Sequence, residues 1–143
     1  MNTSDIPTYT KLELAEIQLN RAIKLLVHDG DVVSSITLSG AADDIIWKSL
    51  EETGVKSQLT EIEEQVAAWC KSNETPFNKT TFRNDMHVFR TELKHLRTEF
   101  SSEKIPIPIE AAIEIIDRCC ENFRRLMGRY PEERPLFVSV YGK

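Results

Sequence analysis

Apolar residues recur at helical spacing along most of the chain, and glycine or proline interrupts the pattern where each run ends. In the first run, over residues 8–28, apolar positions lie three or four residues apart, which places them on one face of a helix. These positions are Leu12, Ala15, Leu19, Ala22 and Leu26, with Ile17, Ile23 and Leu25 widening the face. Gly30 follows as a predicted C-cap, and Asp31 is placed to N-cap the next helix.

The same spacing predicts a second helix over residues 32–53, ending before Gly54, and a third over residues 58–73. The run SGAA at residues 39–42 removes side-chain bulk from the second helix, so a neighbouring helix can approach closely. The run NETPFN ends the third helix, because proline lacks a donor and restrains its predecessor. The predicted inner face of the third helix consists of Leu59, Ile62, Val66 and Trp69.

A fourth helix is predicted over residues 79–101 and a fifth over residues 110–129, joined by the extended connector KIPIPIE. The predicted inner face of the fifth consists of Ile113, Ile116, Cys120, Phe123 and Met127. In the tail, residues 130–143, the run FVSVY alternates as an extended segment does. This tail is either a loose terminus or a segment packed along a groove or a partner. We predict an all-α, up-and-down bundle of about five helices with an extended C-terminal tail, in one domain with its core at residues 8–129.

The fourth helix has an apolar seam with a heptad-type repeat. The seam consists of Phe82, Met86, Phe89, Leu93, Leu96 and Phe100. Arginines seven residues apart follow one flank, at Arg83, Arg90 and Arg97, and acids follow the other, at Asp85, Glu92 and Glu99. Such ridges make ion pairs with neighbouring helices, and they also suit parallel pairing of two copies, which predicts a homodimer.

Composition narrows the class of protein. The chain has 143 residues, of which 41% are hydrophobic and 29% charged, as in ordinary soluble domains. No apolar run is long enough to span a membrane, and the N-terminus lacks a secretory pattern, so we expect a cytoplasmic protein without a membrane partner. A net charge of −5 argues against nonspecific coating of nucleic acid. The three cysteines form no Cys-x-x-Cys pair, and we expect them to be buried and reduced.

Three groups that contain acidic residues or histidine are possible sites. Asp43 and Asp44, adjacent in the second helix, either orient His95 or line a cleft, or they form an ordinary solvated or intrahelical pair. The run HDGD at residues 28–31 is better explained by a helix end than by metal ligation. His87 with Asp85 and His95 is a similarly weak metal set, because no Glu-x-x-His or His-x-x-x-His spacing supports it. We therefore predict no metal site and no cofactor.

The run RTELKH, residues 90–95, is the strongest candidate for catalysis. His95 lies about 140° around a straight helix from both the apolar seam and Arg90, so it is not a core histidine. One straight helix does not readily bring both side chains to a single substrate atom. Joint action requires a bent helix end or two protomers.

A small helical protein with Arg, a polar residue and then His resembles the HEPN superfamily (higher-eukaryote and prokaryote nucleotide-binding domains). The resemblance covers roughly residues 12–127, and it also includes LAEIQLNRAIKLL followed by DVVSSITLSGAADDII. Within the motif, Arg90 and His95 correspond to the paired residues, with Thr91 and Lys94 as supporting residues beside Asp43 and Asp44. Thr91 stands where many active members have Asn, and it lacks the paired donor and acceptor of an amide.

Many HEPN proteins are metal-independent endoribonucleases, often toxins or antiviral effectors, whose two motifs face one cleft in a dimer. The resemblance implies that His95 acts as general base or acid on the ribose 2′-hydroxyl and the leaving oxygen. Arg90 would hold the scissile phosphate. Other members are noncatalytic, so the alternative is a helical module that binds a nucleotide or a protein partner, such as an antitoxin-like protein.

Overall fold

A computed structural model describes residues 5–94 and 104–142, and in residues 89–94 it describes the backbone alone. These residues form six helices and no strand. The helices are α1 (Lys11–Asp29), α2 (Val32–Thr53), α3 (Gln58–Ser72), α4 (Lys79–Lys94), α5 (Ile109–Met127) and α6 (Arg134–Tyr141). The all-α prediction is confirmed. None of the helices described is long and apolar enough to cross a membrane.

Capping residues define the ends of the first two helices, as the sequence predicts. Gly30 adopts a left-handed conformation (φ 63°), and its N–H donates to the Leu26 carbonyl at the end of α1. Asp31 accepts from the backbone N–H of Ser34 at 3.1 Å and caps α2. The α1 start lies at residue 11 instead of residue 8, because Thr10 accepts from the Glu13 N–H and stays outside the helix.

The core is formed mainly by α1, α2 and α5. α2 packs against both α1 and α5, and its small residues permit close contact. Ser35 illustrates this approach, since its hydroxyl donates across the interface to the Ala22 carbonyl at 3.1 Å. Cys119 and Cys120 lie inside this core, Cys70 is buried on α3, and none of the three forms a disulfide, which confirms the prediction that the cysteines are buried.

The inner faces of α3 and α5 differ from those predicted. Trp69 is 61% exposed, whereas Glu63, on the neighbouring stripe of α3, is buried. On α5, Met127 is exposed, and two polar residues, Arg118 and Asn122, are buried. α3 is rotated relative to its apolar stripe, because Glu63 has its partner, Arg83, on another helix. On α5 the predicted Ile116, Cys120 and Phe123 are buried, so most of that predicted face is confirmed.

The C-terminal tail is a helix, so the prediction of an extended tail is wrong. α6 packs on α1, where the Asn20 side chain accepts from the Glu133 N–H at 3.0 Å and Lys24 pairs with Glu133 at 3.4 Å. Phe137 and Tyr141, four residues apart, stack with ring centroids 5.7 Å apart. The helical spacing of these aromatic residues prevails over the alternation of FVSVY.

α4 begins at the predicted residue, and its described part extends to Lys94, while residues 95–101 of the predicted helix lie outside the described residues. Phe82 and Met86, the first two members of the apolar seam, are half-buried. None of the side chains described on α4 is fully buried. The first half of this helix therefore lies at the surface.

Candidate functional site

A cleft of about 150 Å³ lies where the second half of α2 meets α4. Its lining combines two carboxylates, a guanidinium, an imidazole, an indole, an amide and one aliphatic side chain. The lining residues are Asp43, Asp44, Trp47, Leu59, Arg83, His87 and Asn122. The cleft is thus a polar site on the surface of a helical core.

The inner wall of the cleft is a buried polar cluster between α2 and α5. Asp43 and Arg118 are each 4% exposed, and Asn122 is 1% exposed. The Asn122 amide donates to Asp43 Oδ1 at 3.3 Å, and Arg118 Nε lies 3.9 Å from Asp43 Oδ2. Arg118 Nε and Nη2 are buried without a hydrogen bond. Asp43 is therefore the counter-charge for this buried guanidinium.

Asn122 also ties this cluster to α3. Its side-chain oxygen accepts from the backbone N–H of Gln58 at 2.7 Å. Gln58 is the first residue of α3, where backbone N–H groups lack partners within the helix, and Ser57 caps the same end by accepting from Thr60 N–H at 3.1 Å. One amide therefore joins α2, α3 and α5 behind the cleft.

The opposite wall is held by an ion pair between α3 and α4. Arg83 Nε donates to Glu63 Oε2 at 2.6 Å and Nη2 to Oε1 at 3.4 Å, and Lys79 lies 3.6 Å from the same carboxylate. The Arg83 guanidinium lies over the Trp47 ring, 5.6 Å from its centroid. The hydrogen bond from Arg83 lowers the pKa of Glu63 below its ordinary value of 4.5, against the opposing effect of burial.

This lowered pKa predicts how acid affects the fold. A carboxyl whose pKa falls on folding adds stability above its unfolded pKa, and that contribution is lost as the pH falls through the folded-state value. Glu63→Gln should therefore destabilise the protein at neutral pH and reduce the loss of stability between neutral pH and about pH 3. Urea unfolding across this range measures the effect. Glu64→Gln, which removes the exposed pair with Lys56, should change little, and equal pH profiles for Glu63→Gln and wild type would contradict the assignment.

The residues predicted as supporting ones lie partly in this cleft. Asp43 and Asp44 both line it, with Asp43 buried and Asp44 half-buried, so the alternative of a solvated pair is wrong for Asp43. Arg90, Thr91 and Lys94 belong to α4 by their backbone, and their side chains lie outside the described part of the chain. His95 lies outside the described residues.

Most residues of the site were not predicted, among them Glu63, His87, Arg118 and Asn122. Arg118 and Asn122 are four residues apart, so they occupy one stripe of α5 beside its apolar face. Paired polar residues at helical spacing next to Cys119 and Phe123 were the available signal. His87 follows Arg83 by four residues and faces the same cleft, and that spacing was equally visible in the sequence.

The residues described offer little basis for metal binding or for a reactive thiol. No group of three His, Cys, Asp or Glu side chains converges as metal ligands in residues 5–94 and 104–142. Burial raises the pKa of Cys120 to about 12. This thiol is therefore protonated at neutral pH and is a poor nucleophile.

Comparisons with protein-family models, with curated proteins and with solved structures give no match to this chain. The chemistry of the cleft is therefore the basis for assigning a function. Its carboxylates, cationic groups and aromatic ring suit recognition of a polar, planar ligand.

Proposed function

We propose that the chain is a HEPN-like, metal-independent endoribonuclease that acts as a homodimer, with Arg90 and His95 as its catalytic residues. The observation that supports this proposal is the cleft between α2 and α4. The flank of α4 that carries Arg83 and His87 lines it, and helical periodicity assigns Arg90, seven residues after Arg83, to that flank. The carboxylates of Asp43 and Asp44 stand on α2.

The proposed reaction is transesterification at an RNA phosphate. The ribose 2′-oxygen attacks phosphorus, its proton passes to the imidazole of His95, and the bond to the 5′-oxygen breaks. A protonated His95 returns a proton to that leaving oxygen, so one proton is taken up and one is released. Arg90 donates to the phosphate oxygens as negative charge builds on them. The products carry a 2′,3′-cyclic phosphate and a 5′-hydroxyl.

Two copies of the chain solve a geometric problem in this scheme. Arg90 and His95 are five residues apart, which separates them by about 140° around a straight helix. In a dimer, the arginine of one protomer and the histidine of the other approach one phosphate from opposite sides. On α4, Arg90 on one flank and Asp85 and Glu92 on the other favour such pairing, whereas Arg83 pairs with Glu63 of its own chain.

The proposal predicts cleavage of RNA by the purified protein in EDTA. His95→Ala should abolish cleavage, and Arg90→Ala should reduce it by at least about 100-fold, because each variant loses a group that acts at the transition state. Product ends are identified by their resistance to phosphatase until the cyclic phosphate is opened with acid. His28→Ala is the matched control, since His28 is exposed at the end of α1, and it should retain wild-type activity.

Mixing the two inactive variants tests the shared cleft. A heterodimer of His95→Ala and Arg90→Ala protomers retains one complete pair if the residues act across the interface, so activity should reappear on mixing. Sedimentation measures the dimer directly. Activity that requires added metal, or that survives His95→Ala, contradicts the catalytic proposal, and a monomer at high micromolar concentration contradicts the dimer.

The second candidate function is a noncatalytic HEPN-like module that binds a protein or nucleotide partner. Two exposed apolar side chains favour it, Trp69 on α3 and Val88 on α4. Large exposed apolar residues are common at protein interfaces. A protein that forms a dimer but leaves structured and unstructured RNA intact would support this candidate over the nuclease.

A further inference from the structure

We propose that the cleft binds a single nucleobase and selects guanine. This inference rests on the proposed function for its substrate class, because RNA is what would bring the base. The volume of the cleft, about 150 Å³, limits the size of the ligand. A cavity of about this size accommodates one six-membered ring, so the Watson–Crick edge of a base enters while the sugar and phosphate remain outside.

A stacking surface for the base is provided by the guanidinium of Arg83, which is backed by the Trp47 ring. The guanidinium lies over the indole at 5.6 Å, and its two hydrogen bonds to Glu63 fix its orientation. Guanidinium planes and aromatic rings are the surfaces on which proteins stack bases. Because Glu63 is itself buried, this surface is formed before a ligand arrives and loses little entropy on binding.

Asp43 and Asp44, on the same helix as Trp47, add acceptors to the cleft. Asp43 faces the interior, where Asn122 and Arg118 approach its two oxygens. Asp44 is half-buried and also lines the cleft. A carboxylate offers about four acceptor sites on two oxygens, so Asp44 accepts from a ligand alongside the interactions it makes within the protein.

This chemistry distinguishes the four RNA bases. Guanine presents two adjacent donors, the ring N1–H and the 2-amino group, which match the two oxygens of one carboxylate. Adenine and cytosine present an amino group beside an acceptor nitrogen, and uracil presents one N–H between two carbonyls. Each of these places a lone pair against the Asp44 carboxylate. Sites built for specific hydrogen bonds reject ligands that leave them unpaired, so guanine is the preferred base.

Nuclear magnetic resonance of the Trp47 indole N–H tests the subsite directly. Trp47 and Trp69 are the two tryptophans of the chain, and the exposed Trp69 is replaced in Trp69→Phe, which leaves one indole signal. Titration with 5′-GMP should shift this signal saturably. The dissociation constants for 5′-AMP, 5′-CMP and 5′-UMP should be roughly tenfold higher, the discrimination expected of a two-bond contact.

Two variants in the Trp69→Phe background separate the role of Asp44 from net charge. Asp44→Asn should remove the preference for GMP, because an amide presents one acceptor and one donor to the two donors of guanine. Glu51→Gln removes the same charge from an exposed position on α2 and should preserve the preference. Circular dichroism establishes that both variants remain helical.

Equal affinity for all four nucleotides, or an equal shift with inorganic phosphate alone, would overturn the subsite. So would retention of the GMP preference in Asp44→Asn. The nucleotide titration measures binding without cleavage. The base subsite and the nuclease can therefore be contradicted independently of each other. Selective GMP binding by a protein that cuts no RNA supports the subsite and contradicts the nuclease. Cleavage of RNA without a preference in nucleotide binding supports the nuclease and contradicts the subsite.

Discussion

Asp43→Ala should lower the free energy of unfolding by about 3–5 kcal/mol, a loss typical of breaking a buried ion pair from one side. The variant leaves the guanidinium of Arg118 buried without its carboxylate, and it leaves the Asn122 amide without the acceptor that it has at 3.3 Å. Alanine favours helix more than aspartate does, by less than about 1 kcal/mol. The loss of pairing therefore dominates, and urea unfolding monitored by circular dichroism measures it.

A double-mutant cycle identifies the cause of this loss. Arg118→Met removes the charge and keeps an unbranched apolar chain of similar length in the same space. Asp43→Ala combined with Arg118→Met should cost less than the sum of the two single variants, because neither charge then remains buried alone. Additive losses would show that the two side chains do not interact. Glu51→Gln, an exposed acid on the same helix, should change stability by less than about 0.5 kcal/mol.

The features that could be predicted from the sequence are those decided locally. Gly30 and Asp31 end α1 and begin α2 as expected, since a left-handed glycine and a side-chain cap act within a few residues. The bounds of α2, Val32–Thr53, match the prediction at both ends. The apolar spacing of α1 likewise identified Ala15 and Leu19 as core residues. Local chemistry was sufficient for these elements.

Rotation of a helix about its axis depends on partners distant in sequence, and there the prediction was wrong. An apolar stripe placed Trp69 inward, but α3 buries Glu63 and exposes Trp69. Glu63 is tolerated inside because Arg83, twenty residues later, meets it with two hydrogen bonds. Burial of a charge is stabilised only when such a partner exists. Hydrophobic periodicity does not carry that information.

The candidate site shows the same division. Asp43 and Asp44 were singled out from their sequence position, and both line the cleft. Arg118 and Asn122 gain their roles only when α5 packs against α2, because each is a polar residue that a core normally excludes. Arg90 and His95 stay predictions of the sequence, and the cleavage assay tests them.

Phe137→Ala should detach α6 from the core. Phe137 is 3% exposed, packs in the main hydrophobic cluster and stacks on Tyr141. α6 has eight residues, too few to be stable as an isolated helix, so its structure depends on this contact. Truncation of a buried phenylalanine costs about 3–5 kcal/mol. We expect a loss of about this size in urea unfolding, with amide protection lost first in residues 134–141.

Val140→Ala is the matched control for Phe137→Ala, because Val140 lies on the same helix and is exposed. It should change stability by less than about 0.5 kcal/mol and leave amide protection intact. The contacts of Glu133 with Asn20 and Lys24 are not removed in either variant. The two variants therefore test whether these contacts at the start of α6 are enough to hold the helix on α1. If α6 keeps its protection in Phe137→Ala, those polar contacts, and not the aromatic side chain, hold α6 on α1.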